Sequence, residues 1–424
     1  MINYTKLSYQ IKRQLFIFSN KITKNISRPK AKFVFQMMYG FLKSKSVHLS
    51  NIARSLNESI LLKKTIERLS RNLKNFNNAH EIRENYLNEI KTSIDDDTIF
   101  CIDGSEIVKP HSKALESMGT VRDGSTGQIN VNGYNNLEIA ALTSKYNMPV
   151  SVYSKIYSNA EEDFKSENIE TLKALNFISN HFGNIGIKAL DRGYDNKIFY
   201  KYFIDKDEQF VIRAKSNRDV LFKDKSINIL KLANKYKGKY TMIIKNKAGK
   251  AKKCKFSFIP ISLPVIPDKK LTLVVVRGFS KKPMMLISNV MPNDKRLTLA
   301  IVKVYLKRWR IEEYFRFKKQ QFDFEDIRVR SLNSIRAMNL LLSIAIGFIA
   351  MLSEKRKESL LVLWVSKIAK RIYDMPKFNY YALSDGIYAI LQKSKTGIKS
   401  FIKPRSKIKR SQQLMIADVL MCLV

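Results

Sequence analysis

The stretch Val304–Lys319, VYLKRWRIEEYFRFKK, decides how the rest of the chain is read. On a helix turning 100° per residue, Tyr305, Arg308, Glu312 and Lys319 fall within about 60° of one another. A carboxylate is flanked there by two cations and a phenol on one narrow face. Arg316 projects the same way and thickens the basic strip. Carboxylates bind hard divalent cations, and guanidinium and ammonium groups bind phosphates. The stripe therefore suits Glu312 to a metal ion, and Arg308, Arg316, Lys319 and Tyr305 to a phosphate backbone. Spacing alone equally permits a solvated, charge-paired face with Trp309, Tyr314 and Phe315 packed elsewhere. Glu313 lies about 100° further round the helix, away from the basic strip, which favours Glu312 as the ligand.

Two other acids change that balance. Asp103 follows the apolar run Thr98–Ile102 and precedes Gly104. Asp191 follows Ile185–Leu190 and precedes Arg192 and Gly193. Each reads as a carboxylate at the C-terminal end of a short buried strand, where the sites of α/β proteins commonly lie. Two strand-end aspartates and one helix glutamate make a cage for two divalent cations, magnesium or manganese. The reading requires all three acids to meet in the fold.

The spacing Tyr305-x2-Arg308-x3-Glu312-x6-Lys319 resembles the Tyr-Arg-Glu-Lys signature of bacterial DDE transposases of the insertion-sequence-four type. Asp103 within FCIDGS and Asp191 within ALDRGYD resemble that family's first and second catalytic aspartates. FVIRAKSN at Phe210–Asn217 and MLISNV at Met285–Val290 are also similar to family segments, and the likeness runs from about Asn51 to Ser353. It implies that Asp103, Asp191 and Glu312 are catalytic, that DNA is the substrate, and that a hairpin intermediate and a paired-end homodimer form.

Composition agrees with a polyanionic partner. The 424 residues carry 77 Lys and Arg against 37 Asp and Glu, a formal charge of +40. Such an excess favours nucleic acid, with a membrane surface or a ribosome as other polyanions. Much of the Lys, Ile and Asn content also fits an AT-rich coding genome, which tempers the charge as a signal. A 45% apolar content excludes a disordered chain, and the length allows two or three domains. Cys101, Cys254 and Cys422 are widely spaced, and the four histidines form no ligand cluster, so neither a disulfide framework nor a zinc site is expected. The first residues, MINYTKLSYQIKRQL, lack a signal-peptide layout, and Leu340–Leu352 is too short to span a bilayer. A cytoplasmic, nucleoid-associated protein is expected.

Taken in order, residues 1–90 read as a helical, DNA-binding domain. Ser46–Asn57 has the rhythm of a helix-turn-helix, and Ile66–Leu73 follows as an amphipathic helix with Arg68 and Arg71 exposed. Asp95, Asp96 and Asp97 fall in a turn before the first strand. Met118–Gly133 reads as a loop. Strands at Leu137–Thr143 and Val150–Tyr157, a helix over Glu162–Phe182, a strand at Ile185–Asp191, a helix over Asn196–Ile204 and a strand at Gln209–Ala214 complete a βββαβαβ order. That order is an RNase H-like core, residues 91–214 and 285–352, in an α/β fold. Residues 215–284 form a β-rich insertion, which accounts for the roughly 120 residues between Asp191 and Glu312. Lys295–Lys319 reads as one helix carrying Glu312. Residues 353–424 form a basic, helical C-terminal region, densest in charge at Lys393–Arg410.

The chemistry this predicts is phosphodiester cleavage at two metal ions, followed by attack of the freed 3′-hydroxyl on target DNA, with no nucleotide cofactor. A structure-specific nuclease on the same core and a non-catalytic DNA-binding descendant are the alternatives.

Overall fold

The protein is described by a computed structural model covering residues 2–143, 148–245, 251–354, 359–370, 379–394 and 396–402. Five helices come first: α1 (Tyr4–Ile22), α2 (Arg28–Ser44), α3 (Leu49–Leu56), α4 (Leu62–Lys74) and α5 (Ala79–Lys91). Local chemistry sets their ends. Asn3 caps α1 by accepting from the Lys6 amide at 3.0 Å, and Asn57 ends α3 in the left-handed region at φ 48°. Arg68 does not point outward as expected from periodicity. Its guanidinium donates to Glu58 and Gln36, each at 2.7 Å, while Arg71 is exposed.

The core begins with β1 (Ile99–Val108), β2 (Gly119–Val121), β3 (Val131–Leu142) and β4 (Pro149–Tyr157). The expected Met118–Gly133 loop is thus partly strand. Then follow α6 (Glu167–Phe182), β5 (Ile187–Leu190), α7 (Lys197–Asp205) and β6 (Gln209–Arg213). β1, β3 and β4 are antiparallel neighbours, whereas β5 runs parallel to β1, and β6 parallel to β5. This is the RNase H-like arrangement that the element order predicts.

The β-rich segment is not a separate sheet. β7 (Asp219–Phe222), β8 (Lys225–Asn228), helix α8 (Ile229–Asn234), β9 (Tyr240–Lys245), β10 (Ala251–Leu263) and β11 (Ile266–Arg277) lead into β12 (Met284–Ser288). β12 pairs with both β11 and β6, so the insertion strands extend the core sheet into one of twelve strands among the described residues.

Side-chain alternation then sorts the sheet's two faces. On one, Phe100 of β1 meets Phe182 of α6, and Phe210 of β6 meets Tyr200 and Phe203 of α7. The other carries α9 (Lys295–Lys307), α10 (Arg310–Phe322) and α11 (Leu332–Glu354). The single helix expected over Lys295–Lys319 is therefore two, parted at Arg308 and Trp309. α11 is long and apolar enough to cross a membrane, but 89% of its most apolar window is buried within the protein. It packs on β4 and serves as the post around which the N-terminal helices gather. At Gly347, a Cβ would sit 2.3 Å from the Tyr86 hydroxyl of α5, so only glycine permits that approach. α12 (Leu360–Ile368), α13 (Tyr380–Gln392) and the short α14 (Lys399–Ile402) close the described C-terminal part. Half of the basic run Lys393–Arg410, and Cys422, lie outside the described residues.

Candidate active site

β1 and β5 pair in parallel with Ile102 opposite Leu190. The residue after each of these is an aspartate. Asp103 and Asp191 therefore stand side by side on one sheet face, about one strand spacing apart along the backbone. β1 does not end at Asp103, as expected, but continues for five residues opposite β3. The parallel ladder is what stops there, and its end opens the site. Asp191 caps a single 3₁₀ turn, accepting from the Gly193 amide at 2.6 Å. Nearby Asp195 is consumed structurally by Tyr200, the Lys215 amide and Arg218, at 2.7–3.0 Å. Asp95 likewise accepts from Thr98 in the turn before β1.

Glu312 arrives from the other layer. It sits in the first turn of α10, and Arg308, in the break before that helix, links it to the strands. One guanidinium nitrogen of Arg308 lies 2.5 Å from Asp103 Oδ2, and the other 3.3 Å from Glu312 Oε1. The guanidinium also stacks over Tyr305, 5.8 Å from the ring centroid. Burial disfavours its charge, but Asp103, Tyr305, Asp191 and Glu312 outweigh burial and hold its pKa above the ordinary arginine value. For Asp103 the balance tips the other way. Burial, opposed by Arg308 and reinforced by the Asp191 charge, pushes its carboxyl up to about 6. A buried acid beside a second acid is a place where added positive charge is favourable.

The basic strip is less available than its helical phase suggests. Tyr305 and Arg308 are 2% and 4% exposed. Lys319 donates to the Glu106 carbonyl at 2.9 Å and pairs with Glu325 at 2.8 Å. Arg316 is exposed. Glu313 pairs with Arg310 at 2.8 Å on the far side of α10.

Among the described residues, no three Asp, Glu, His or Cys side chains are placed closely enough to hold a metal ion as they stand. The cation among the acids is Arg308. The donor set nonetheless fits a hard divalent ion, with Asp103 and Asp191 adjacent. Glu312, 40% exposed in its side chain, is paired with Arg308 rather than set against the two aspartates.

Residues 94–348, more than half of the chain, match the family model of the transposase DDE domain. The chain belongs to the DDE transposase family. Among solved structures it is similar to a piggyBac transposase, seen by cryo-EM in a synaptic complex with hairpin DNA, with a TM-score of 0.45 and 11% identity, covering 98% of this chain and 88% of that one. No curated protein matches it.

Within this transposase fold, sequence reasoning missed two residues behind the acids. Glu138 and Lys318, both essentially unexposed, form an ion pair at 3.4 Å. A signal was present for each. Glu138 is a lone charge in the apolar run LEIAALT, and Lys318 occupies the apolar stripe Ile311, Phe315, Lys318, Phe322.

Proposed function

We propose that this DDE-family chain is the transposase of an insertion sequence that cuts DNA at the ends of its element and joins the freed 3′-hydroxyl to target DNA, in a cut-and-paste manner. The observation that carries the reading is the adjacency of Asp103 and Asp191 at the end of the parallel ladder, with Glu312 linked to Asp103 through Arg308. Two divalent cations of the magnesium class, held by Asp103, Asp191 and Glu312, would supply charge neutralisation and an activated water. The chain's own residues do the rest. Arg308, released from the acids, neutralises a phosphate near the cut, with Tyr305 packed beneath it to fix its direction. Lys319 and Arg316 hold the neighbouring backbone.

In this reading, residues 1–90 grip the element's terminal inverted repeats, the 215–284 insertion widens the DNA-facing sheet, and the paired ends are held by a homodimer. The charge of +40 supports a DNA partner and a location on the nucleoid in the cytoplasm. So does a cleft of about 470 Å³ between α3, α4 and the segment before α11, lined by His48, Lys74, Arg328 and Arg330.

Incubating the chain with end DNA, target DNA and Mg2+ or Mn2+ tests this. Joined products support the transposase, cut products alone leave a nuclease, and DNA bound but uncut leaves a binding protein. Full cleavage by Asp103→Ala, Asp191→Ala and Glu312→Ala would overturn the site.

A further inference from the structure

Asp103 and Glu138 are direct partners across the β1–β3 ladder, so their side chains share one sheet face. Each holds a cation from the segment that carries Glu312. Asp103 takes Arg308, just before α10, and Glu138 takes Lys318, six residues beyond Glu312. The second pair is wholly enclosed, the two side chains being 1% and 0% exposed. It is also fully supplied with partners. The Lys318 amine donates to Asn339 at 2.6 Å and Ser343 at 2.9 Å, both on α11. Glu138 accepts from Ser154 at 2.8 Å and from Ser151, both on β4. Asn339 closes the ring by donating to Ser154 at 2.8 Å.

A buried ion pair is a poor source of stability, because apolar residues of similar volume commonly do as well or better. What it does supply is a fixed position, since sliding α10 by one residue would move Lys318 about 1.5 Å along the axis and 100° around it. The network joins β3, β4, α10 and α11 at one point, on the same face as the acids.

We propose that Lys318 and Glu138 are positioning residues, a buried clamp that sets the height and rotation of α10 so that Glu312 faces Asp103 and Asp191. This rests on the reading of those three acids as the ones that hold the cations.

The test uses the full chain with Lys318→Met, Glu138→Gln and the double variant, whose side chains carry no charge to leave unpaired. Mn2+ binding is followed by the electron paramagnetic resonance of the free ion, without DNA. Single-turnover cleavage of end DNA and DNA affinity are measured alongside. The double variant is expected to melt within a few degrees of wild type and to bind DNA equally well. Its Mn2+ half-saturation should rise about tenfold or more, and its cleavage rate should fall by a similar factor, the usual effect of disturbing groups behind metal ligands. A folded double variant with the wild-type Mn2+ curve and rate overturns the clamp. Should the double variant fold poorly, Ser343→Ala removes one partner of the Lys318 amine with little change in volume. A rise in Mn2+ half-saturation of about threefold then supports the proposal, and an unchanged curve overturns it. Failure of wild type itself to bind Mn2+ and cut DNA refutes the functional reading instead, and the clamp's role falls with it.

Discussion

Arg308→Ala is the most informative single change, because Arg308 is the only cation linked to both Asp103 and Glu312 among the described contacts. Removing it leaves Asp103, 19% exposed in its side chain, with no counter-charge and with Asp191 beside it. Breaking a largely buried pair by deleting one partner costs about 3–5 kcal/mol. Over 424 residues the unfolding entropy is about 0.9 kcal/mol per degree near the melting point. The loss is therefore about 3–6 °C in a thermal melt at pH 7.5 and low salt. Mn2+ should narrow that gap. Without Arg308 the three carboxylates have no competing cation, so the ion binds the variant more tightly and raises its melting point by more than it raises wild type's. Cleavage nevertheless stays low, because the phosphate loses its guanidinium. Equal melting of variant and wild type, to within about a degree with and without Mn2+, would refute the placement of Arg308 among the acids.

Three further outcomes are expected. Glu312→Gln should lower single-turnover cleavage more than about 100-fold, whereas Glu313→Gln, which loses only an exposed pair with Arg310, should stay within about threefold of wild type; the reverse ranking would exchange their roles. With the Asp103 carboxyl raised to about 6, the folded chain binds more protons than the unfolded chain between the ordinary value of 3.8 and 6. That group's contribution to stability therefore falls as pH rises through this window, and Mn2+ affinity, which needs the ionised form, should weaken about tenfold per pH unit below 6 rather than below 4; calorimetric titration from pH 4.5 to 7.5 reads it. Lys74→Ala and Arg330→Ala, in the cleft beside α4, should each weaken end-DNA binding and reduce the slope of log affinity against log salt by about one, with no change in sequence preference; an unaltered slope would take the DNA off that surface.

Much of this protein was legible one residue at a time. The apolar runs before Asp103 and Asp191 marked strands because alternation and burial are local properties, and the element order of the core followed from them. Spacing also set Arg308 beside Glu312, because four residues is about one helical turn, although it assigned Arg308 to phosphate and not to Asp103. Charge excess pointed to a polyanion without any fold at all. What periodicity could not supply was anything that depends on which elements meet. The break at Arg308 and Trp309 turns one expected helix into two. Arg68 reads as an exposed cation and Lys319 as a phosphate ligand until Gln36 and the Glu106 carbonyl meet them. The insertion's strands read as a separate element, yet β12 joins them to the core sheet, because strand pairing is a long-range choice among edges. The acids themselves follow the same division. The sequence alone determined that Asp103 and Asp191 follow buried apolar runs. That the two strands lie parallel and in register, and that a helix more than a hundred residues later lays Arg308 and Glu312 against them, was decided by tertiary packing. A contact between distant residues is paid for by burial of the whole layer between them, and that term belongs to no single stretch of chain.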